Sequence, residues 1–404
     1  QQAPFCAYLD TGRFAILSAS PELFFALKDG VITTRPMKGT TRRGRWAEED
    51  RSAIEQLRNS PKERAENLMI VDLLRNDLGI VAETGSVSVD ALFAVETYPT
   101  VHQMTSTISA RVRPDTSLVD IFRALFPCGS VTGAPKRRSM EIIAELEKAP
   151  RGVYCGAVGF VAPGGEALFS VAIRTLLLDR QSDEISLGVG SGITWDSEAG
   201  QEYRECLDKG AFIKSIDDDF CLIESLRMED GDYTLLDRHL DRLEKSADYF
   251  GFAFDRKAVQ QALANHAQEE TGLCKTRLLL SANGNFEIIS EALAVESDGP
   301  LRIAVSDVMV DSNNHFRYHK TTRRELLDKA RSSRPECDEV LFVNERGELS
   351  EGSYHNLVVK LDNRMLTPPL TCGLLPGVLR EELLQRGEIT EQVLLPDDLE
   401  RAEE

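Results

Sequence analysis

One lysine in this chain sits where an amine could do covalent chemistry. Lys38 lies in Thr33–Thr40, directly before Gly39, on a tight turn that follows a strand-like run. Held against apolar walls with its proton affinity lowered, such a lysine becomes an amine nucleophile, although most lysines simply meet solvent. Glu22, next to Pro21, is placed to act as the matching general acid if two strands bring it close. Two helical stretches each carry Glu at i and i+3, Glu63 with Glu66 and Glu202 with Glu205. That spacing puts each pair on one helix face. Two such faces meeting would give an oxygen-rich site for Mg²⁺, whereas either alone reads as a solvated face.

Lys320 lies in a basic cluster, His319–Arg324, after the strand-like run 303–310. On composition it is a charge run or a generic anion patch. Further on, Glu351–Leu357, Met365–Thr367 and Leu375–Arg380 place glycines between a strand and a helix start. There, free backbone N–H groups favour phosphate, though a Pro-Gly pair is more often only a turn.

The elements that must carry these residues form an α+β pattern, not a βαβ alternation. Strands are expected at 14–18, 23–27, 31–34, 157–162, 168–177 and 185–189. Ser60-Pro61 starts a helix, with Glu63 completing a capping box, that runs to about Asn76 and stops near Gly79. Another helix is expected over 201–215. After Asp217-Asp218-Asp219 the pattern restarts with a strand at 220–228 and a turn at Gly231. A helix then follows from about Asp237 to Phe250, with Leu236, Leu240, Leu243, Ala247 and Phe250 on one face. This places a domain boundary near 216–219, giving a first domain over 1–216 and a second over 217–404.

Composition excludes several classes. The 404 residues hold 66 acidic and 47 basic side chains, a formal charge of −19, which argues against a nucleic-acid binder. No apolar run is long enough to span a bilayer, so no membrane association is expected. The eight cysteines form no C-x-x-C pair and no secretory signal precedes them, which favours a reduced cytoplasmic setting; the six histidines show no zinc spacing. Neither Cys128 nor Cys155 sits in the G-x-C-x-G elbow of a glutaminase.

At these residues a resemblance becomes specific. Eight stretches in order, Ala19–Phe24, Arg35–Gly44, Glu66–Gly79, Phe126–Lys136, Tyr154–Phe160, Ile173–Thr175, Gly188–Ser197 and Glu202–Lys209, resemble the chorismate-utilising enzymes that include anthranilate, isochorismate and aminodeoxychorismate synthases. The lysine in Pro36-Met37-Lys38-Gly39-Thr40 is similar to the aminodeoxychorismate synthases; anthranilate synthases typically carry alanine there. The resemblance implies that Lys38 adds to the chorismate ring as the 4-hydroxyl leaves, that Glu22 protonates that hydroxyl, and that ammonia then displaces the lysine at C4. It implies Mg²⁺ on Glu66, Glu202 or Glu205, and Glu63. It also implies that Tyr154 and Arg174, with amides near Gly190 and Gly192, grip the enolpyruvyl carboxylate. Family domains begin well before a motif like that of Glu22, so the first domain is expected to lack its N-terminal part.

Residues 351–380 resemble the class IV aminotransferases, with Val358 where an aromatic is usual, and Arg238–Leu243 matches as well. The resemblance implies pyridoxal 5′-phosphate bonded to Lys320, with Glu351 at the pyridine nitrogen. Arg242, Thr367 and the amides of Val378 and Leu379 would hold the phosphate, Asn356 would support the site from behind, and Ser225 would stand near the substrate. The C-terminus is expected to be curtailed. Motif spacing leaves a branched-chain or D-amino-acid transaminase and an aminodeoxychorismate lyase open. The neighbouring domain favours the lyase, since its product is the lyase substrate. The expectation is a bifunctional enzyme making 4-aminobenzoate from chorismate and ammonia, with a separate glutamine amidotransferase subunit and a possible homodimer through the second domain. The rivals are an anthranilate synthase joined to a transaminase, and a non-catalytic protein that keeps both folds.

Overall fold

The computed structural model describes residues 3–195, 197–210, 213, 219–293 and 299–403. The chain divides into two compact units, residues 1–43 with 52–217 and residues 44–51 with 218–404. The expected seam at 216–219 lies outside the described residues except for Asp219, as does most of 211–215, so the helix expected over 201–215 is described only as Ala199–Gly210.

The first unit holds two antiparallel sheets. One is four-stranded, in the order Phe5–Asp10, Phe14–Ser20, Thr175–Asp179, Glu184–Leu187. The other has seven strands, among them Leu23–Lys28, Val31–Arg35, Met37–Arg42, Val101–Arg111 and Ala167–Val171. Phe24, Phe25, Ile32 and Ile108 from this sheet pack with Ile70 and Leu74 of the helix Pro61–Gly79 and with Ile121.

Two expectations are corrected here. The stretch 168–177 is not one strand. It is Ala167–Val171 in the larger sheet and Thr175–Asp179 in the smaller, and Arg174 makes the switch with a left-handed φ of 50°. The chain crosses between the same two sheets at Pro21-Glu22, between Phe14–Ser20 and Leu23–Lys28. The two crossings meet, since the Val171 N–H donates to the Glu22 carbonyl at 3.1 Å. The second correction concerns the helix at Ser60. Its hydroxyl caps the Glu63 N–H as expected, but the Ser60 N–H donates to Leu57 O of the preceding helix Ala47–Asn59. Glu63 is therefore not needed for a capping box, and its side chain lies against Gly39 instead.

In the second unit a four-stranded antiparallel sheet, Asp232–Tyr233, Leu222–Glu229, Leu273–Leu280, Phe286–Ala292, is covered on one face by the helices Leu236–Phe250 and Arg256–Glu269. Leu240, Leu243 and Ala247 fill that interface, as their spacing predicts. Two three-stranded sheets follow. One joins Ile303–Val305, Glu339–Val343 and Leu349–Gly352; the other joins Val359–Leu361, Arg364–Thr367 and Thr390–Glu391. The strand expected over 303–310 stops at Val305, because the Ser306 hydroxyl accepts from Val308 N and donates to Val308 O, closing a turn.

Candidate functional site

In each unit one lysine has some of the expected residues near it, Glu22 and Gly192 beside Lys38 and Arg242 and Glu351 beside Lys320. In the first, Glu22 occupies a sheet crossing and is only 3% exposed. Burial pushes its carboxyl up to about 7, against the Ser130 hydroxyl and the charge of Lys38. Lys38 lies in the strand Met37–Arg42, and its Nζ is 3.2 Å from the point where a Cβ on Gly192 would stand. Asn67, buried on the helix Pro61–Gly79, fixes this strand by donating to Lys38 O at 3.3 Å while accepting from Ser106 Oγ at 2.6 Å. Tyr154 packs on the loop holding Gly188 and Gly190, its hydroxyl 2.8 Å from where a Cβ on Gly190 would fall, and it walls an apolar cavity of about 460 Å³. Arg174 is partly buried and stands near Tyr98.

The acidic residues come together only in part. Burial raises the proton affinity of Glu63, and the charges of Glu66 and Glu205 raise it further. The hydroxyls of Ser197 and Ser191 hold Glu202 below the usual carboxylate range, and its Oε2 is buried with no hydrogen-bond partner. Glu205 pairs with Lys209 at 2.6 Å, and Lys209 also donates to Gly190 O at 3.1 Å. Among the described residues, no group of three His, Cys, Asp or Glu side chains stands close enough to hold a metal by itself. Mutually repelling carboxylates with an unpartnered buried oxygen still fit Mg²⁺. That ion takes one or two protein carboxylates and completes its shell with water and substrate oxygens.

In the second unit, Lys320 follows a short 3₁₀ turn, His315–Tyr318, and its carbonyl accepts from Ile223 N at 2.8 Å. Burial lowers its proton affinity to about 8, Arg242 adds to that, and Glu224 and Glu351 oppose it. Glu351 lies in the strand Leu349–Gly352, one residue before its end, and is buried. Arg317 donates to its Oε1 at 3.0 Å and Asn356 to its Oε2 at 3.3 Å. Burial raises this carboxyl, and Arg317 is the largest opposing influence. A carboxylate so placed can keep a pyridine nitrogen protonated, which is the chemistry a pyridoxal ring demands.

Arg242 is buried, with Nε and Nη2 on Glu224 at 2.8 and 2.6 Å and Nη1 on Pro376 O at 3.1 Å. Gly377, Val378 and Leu379 come next, opening the helix Val378–Gln385, whose first N–H groups have no side-chain cap. A phosphate fits such a helix start beside a guanidinium. A Cβ on Gly377 would fall 1.7 Å from Asn356 Oδ1. Gly377→Ala is therefore expected to push Asn356 off Leu375 O, which it holds at 2.9 Å, and to cost about 1–3 kcal/mol, measured as a lower urea midpoint.

One expected residue is engaged elsewhere. Thr367 donates to Leu357 O at 2.7 Å and accepts from Arg380 Nε at 3.3 Å, so its hydroxyl is satisfied within the fold. Ser225 lies opposite Arg277 in the sheet, on the other face of its strand from Glu224. The sequence reading passed over Glu224, Arg317, Ser130, Asn67 and Lys209. The last three fall inside stretches it had singled out.

The chorismate binding enzyme family model matches residues 1–215, and the class IV amino-transferase model matches residues 221–404. Aminodeoxychorismate synthase component 1 of Klebsiella aerogenes is 49% identical over 208 residues, which is 52% of this chain and 46% of that protein. Anthranilate synthase component 1 of Aquifex aeolicus is 41% identical over 216 residues, 53% of this chain and 43% of that protein. This chain thus spans less than half the length of either relative. A solved structure from Mesorhizobium loti, described provisionally as an amino-acid aminotransferase, is 39% identical with a TM-score of 0.44, covering 46% of this chain and 92% of that one.

Proposed function

The chain belongs to the chorismate binding enzymes and carries a class IV aminotransferase domain over residues 221–404; from this premise we propose that it converts chorismate to 4-aminobenzoate in two steps. The domains divide at 216/217. The first aminates chorismate, releasing water. Lys38 Nζ bonds to the ring while Glu22, buried and protonated near neutrality, gives its proton to the departing 4-hydroxyl; ammonia then takes C4 and frees the lysine. Arg174, Tyr154 and the amides near Gly190 and Gly192 orient the carboxylates. Mg²⁺ held by Glu66, Glu202 or Glu205, and Glu63 would offset substrate charge.

The second domain eliminates pyruvate from the aminated product. Bound pyridoxal 5′-phosphate supplies an electron sink. Arg242 and the Val378 and Leu379 amides would hold its phosphate, Glu351 would face its ring nitrogen, and Ser225 would stand by the substrate, while the Thr367 hydroxyl stays committed to Leu357 O. Lys320 would anchor the cofactor and is the amine placed to carry the C4 proton as the ring becomes aromatic. A separate glutamine amidotransferase subunit delivers ammonia in the cytoplasm, and two copies pair through the second domain. Among the described residues no helix is long and apolar enough to cross a membrane.

The observation that carries this reading is the pairing, in one chain, of a lysine set beside a buried acid with a second lysine set between a buried carboxylate and a phosphate-ready helix start. The test is to incubate the chain with chorismate, Mg²⁺ and ammonia, with and without pyridoxal 5′-phosphate. The amino intermediate is expected to accumulate without the cofactor and 4-aminobenzoate with it. Lys38→Ala is expected to remove both products. Anthranilate as the product, undiminished in Lys38→Ala, would overturn the first step in favour of an anthranilate synthase; an inert chain would favour a non-catalytic role.

A further inference from the structure

Glu224 stands where a strand should be apolar. Its neighbours on the same face, Leu222, Leu226 and Met228, are 0 to 1% exposed, and Glu224 itself is 1% exposed. An ion pair at such depth is poor evidence of stabilisation, since apolar side chains of like volume commonly serve a core as well. Its geometry offers another reason for it. Glu224 Oε1 and Oε2 take the Nε–H and one Nη2–H of Arg242 side by side, and Oε2 is also 2.6 Å from His239 Nδ1. Pro376 O takes one Nη1–H. Of the five guanidinium N–H groups, three are thereby committed among the described residues, leaving one on each terminal nitrogen. Both lie outside the Nε–Nη2 fork that Glu224 occupies, and Arg242 is anchored one residue before the uncapped helix start at Gly377.

We propose that Glu224 is a positioning residue: it locks the Arg242 guanidinium so that its free edge meets a cofactor phosphate at the start of the helix Val378–Gln385. The inference rests on the pyridoxal phosphate reading above. It adds that phosphate affinity depends on a carboxylate that never touches the phosphate. The logic is preorganisation. An arginine already fixed by a fork loses no rotamer freedom when the ligand arrives, whereas a released one must be reordered.

The test measures equilibrium binding of pyridoxal 5′-phosphate to the full chain by absorbance of the Lys320 adduct, in a double-mutant cycle. Glu224→Gln keeps the volume and one acceptor but loses the charged fork, and it is expected to bind the cofactor about 10–100-fold more weakly. Glu224→Asp should recover part of that loss. In an Arg242→Lys background, Glu224→Gln should change affinity by less than about threefold, because the two act as one unit. A general weakening of the fold would lower affinity equally in both backgrounds, and that result overturns the proposal. So does wild-type affinity in Glu224→Gln, or, should that variant not fold, wild-type affinity in a folded Glu224→Asp chain. A wild-type chain that takes up no pyridoxal phosphate overturns the underlying reading, and this inference with it.

Discussion

Lys320→Ala is expected to abolish borohydride-trappable capture of pyridoxal 5′-phosphate and to lower 4-aminobenzoate formation by at least about 10⁴-fold, since one amine would serve both as covalent anchor and as proton carrier. Chorismate amination should continue, so the amino intermediate accumulates instead of the aromatic product. The size of the effect follows from how the fold treats this amine. A lysine in water has an ordinary value of 10.5, and burial together with Arg242 brings Lys320 to about 8. At pH 8 roughly half of such amines are neutral and nucleophilic, against well under about 1% of solvent-exposed lysines. The rate of cofactor capture should therefore rise with pH and level off above about 8. The linkage has a definite sign. The unfolded chain holds this proton more tightly than the folded one, so the burial penalty is full below about pH 8 and is relieved progressively as pH rises from about 8 to 10.5. Lys320→Met should accordingly make the cofactor-free chain more resistant to urea at pH 7 while removing the adduct. Unchanged trapping in Lys320→Ala would assign the covalent role to another amine.

Much of the scaffold was legible because it rests on local rules. The Ser60 cap, Pro61 and the period through Leu240, Leu243 and Ala247 describe helices whose apolar faces needed only a sheet to cover. Where tertiary geometry decides, the reading failed in identifiable ways. Residues 168–177 are mostly apolar and hold no Gly or Pro, so nothing local announces that Arg174 turns the chain out of one sheet into another. That break sets Arg174 beside the crossing that carries Glu22, so a strand error concealed part of the site's construction. At 303–310 the apolar residues suggested a long strand, but a single serine hydroxyl satisfied the backbone of Val308 and ended it.

Glu224 shows the opposite case, a signal present and passed over. In the strand Leu222–Glu229 every even position is buried, and a glutamate among Leu222, Leu226 and Met228 breaks that apolar row. A buried acid in an apolar row requires a cationic partner, and Arg242 and His239 on the next helix are spaced to supply it. Arg317 was harder to find. It reaches Glu351 only because the short turn His315–Tyr318 folds back ahead of Lys320, and no periodicity marks such a turn. The carboxylates expected to hold Mg²⁺ fall between these cases. Their i, i+3 spacing is local, but whether two helices face each other is not, and Glu205 has taken Lys209 as its partner.

Glu22→Gln is expected to lower chorismate amination by about 10²–10⁴-fold, the usual contribution of a placed general acid, while stabilising the protein above neutral pH. Both halves follow from one fact, that burial raises this carboxyl to about 7 from an ordinary 4.5. Below pH 7 Glu22 carries the proton that the departing hydroxyl needs. Above pH 7 it is ionised, and the amination rate should fall as pH climbs through that value, unless substrate binding shifts it. For stability the folded state holds this proton more tightly than the unfolded chain, so stability declines as pH rises between about 4.5 and 7, and the ionised buried group costs roughly 3 kcal/mol by pH 8. Glutamine carries no such penalty while keeping the shape that accepts from Met37 N. The variant should therefore unfold at higher urea than the wild type at pH 8 and at nearly the same urea at pH 5. A variant equally inactive at every pH but no more stable at pH 8 would mean that Glu22 is solvated rather than buried, and the general-acid assignment would then pass from it. The pairing of lost rate with gained stability separates a strained catalytic acid from a carboxylate that only packs, because a packing residue would lose stability along with activity.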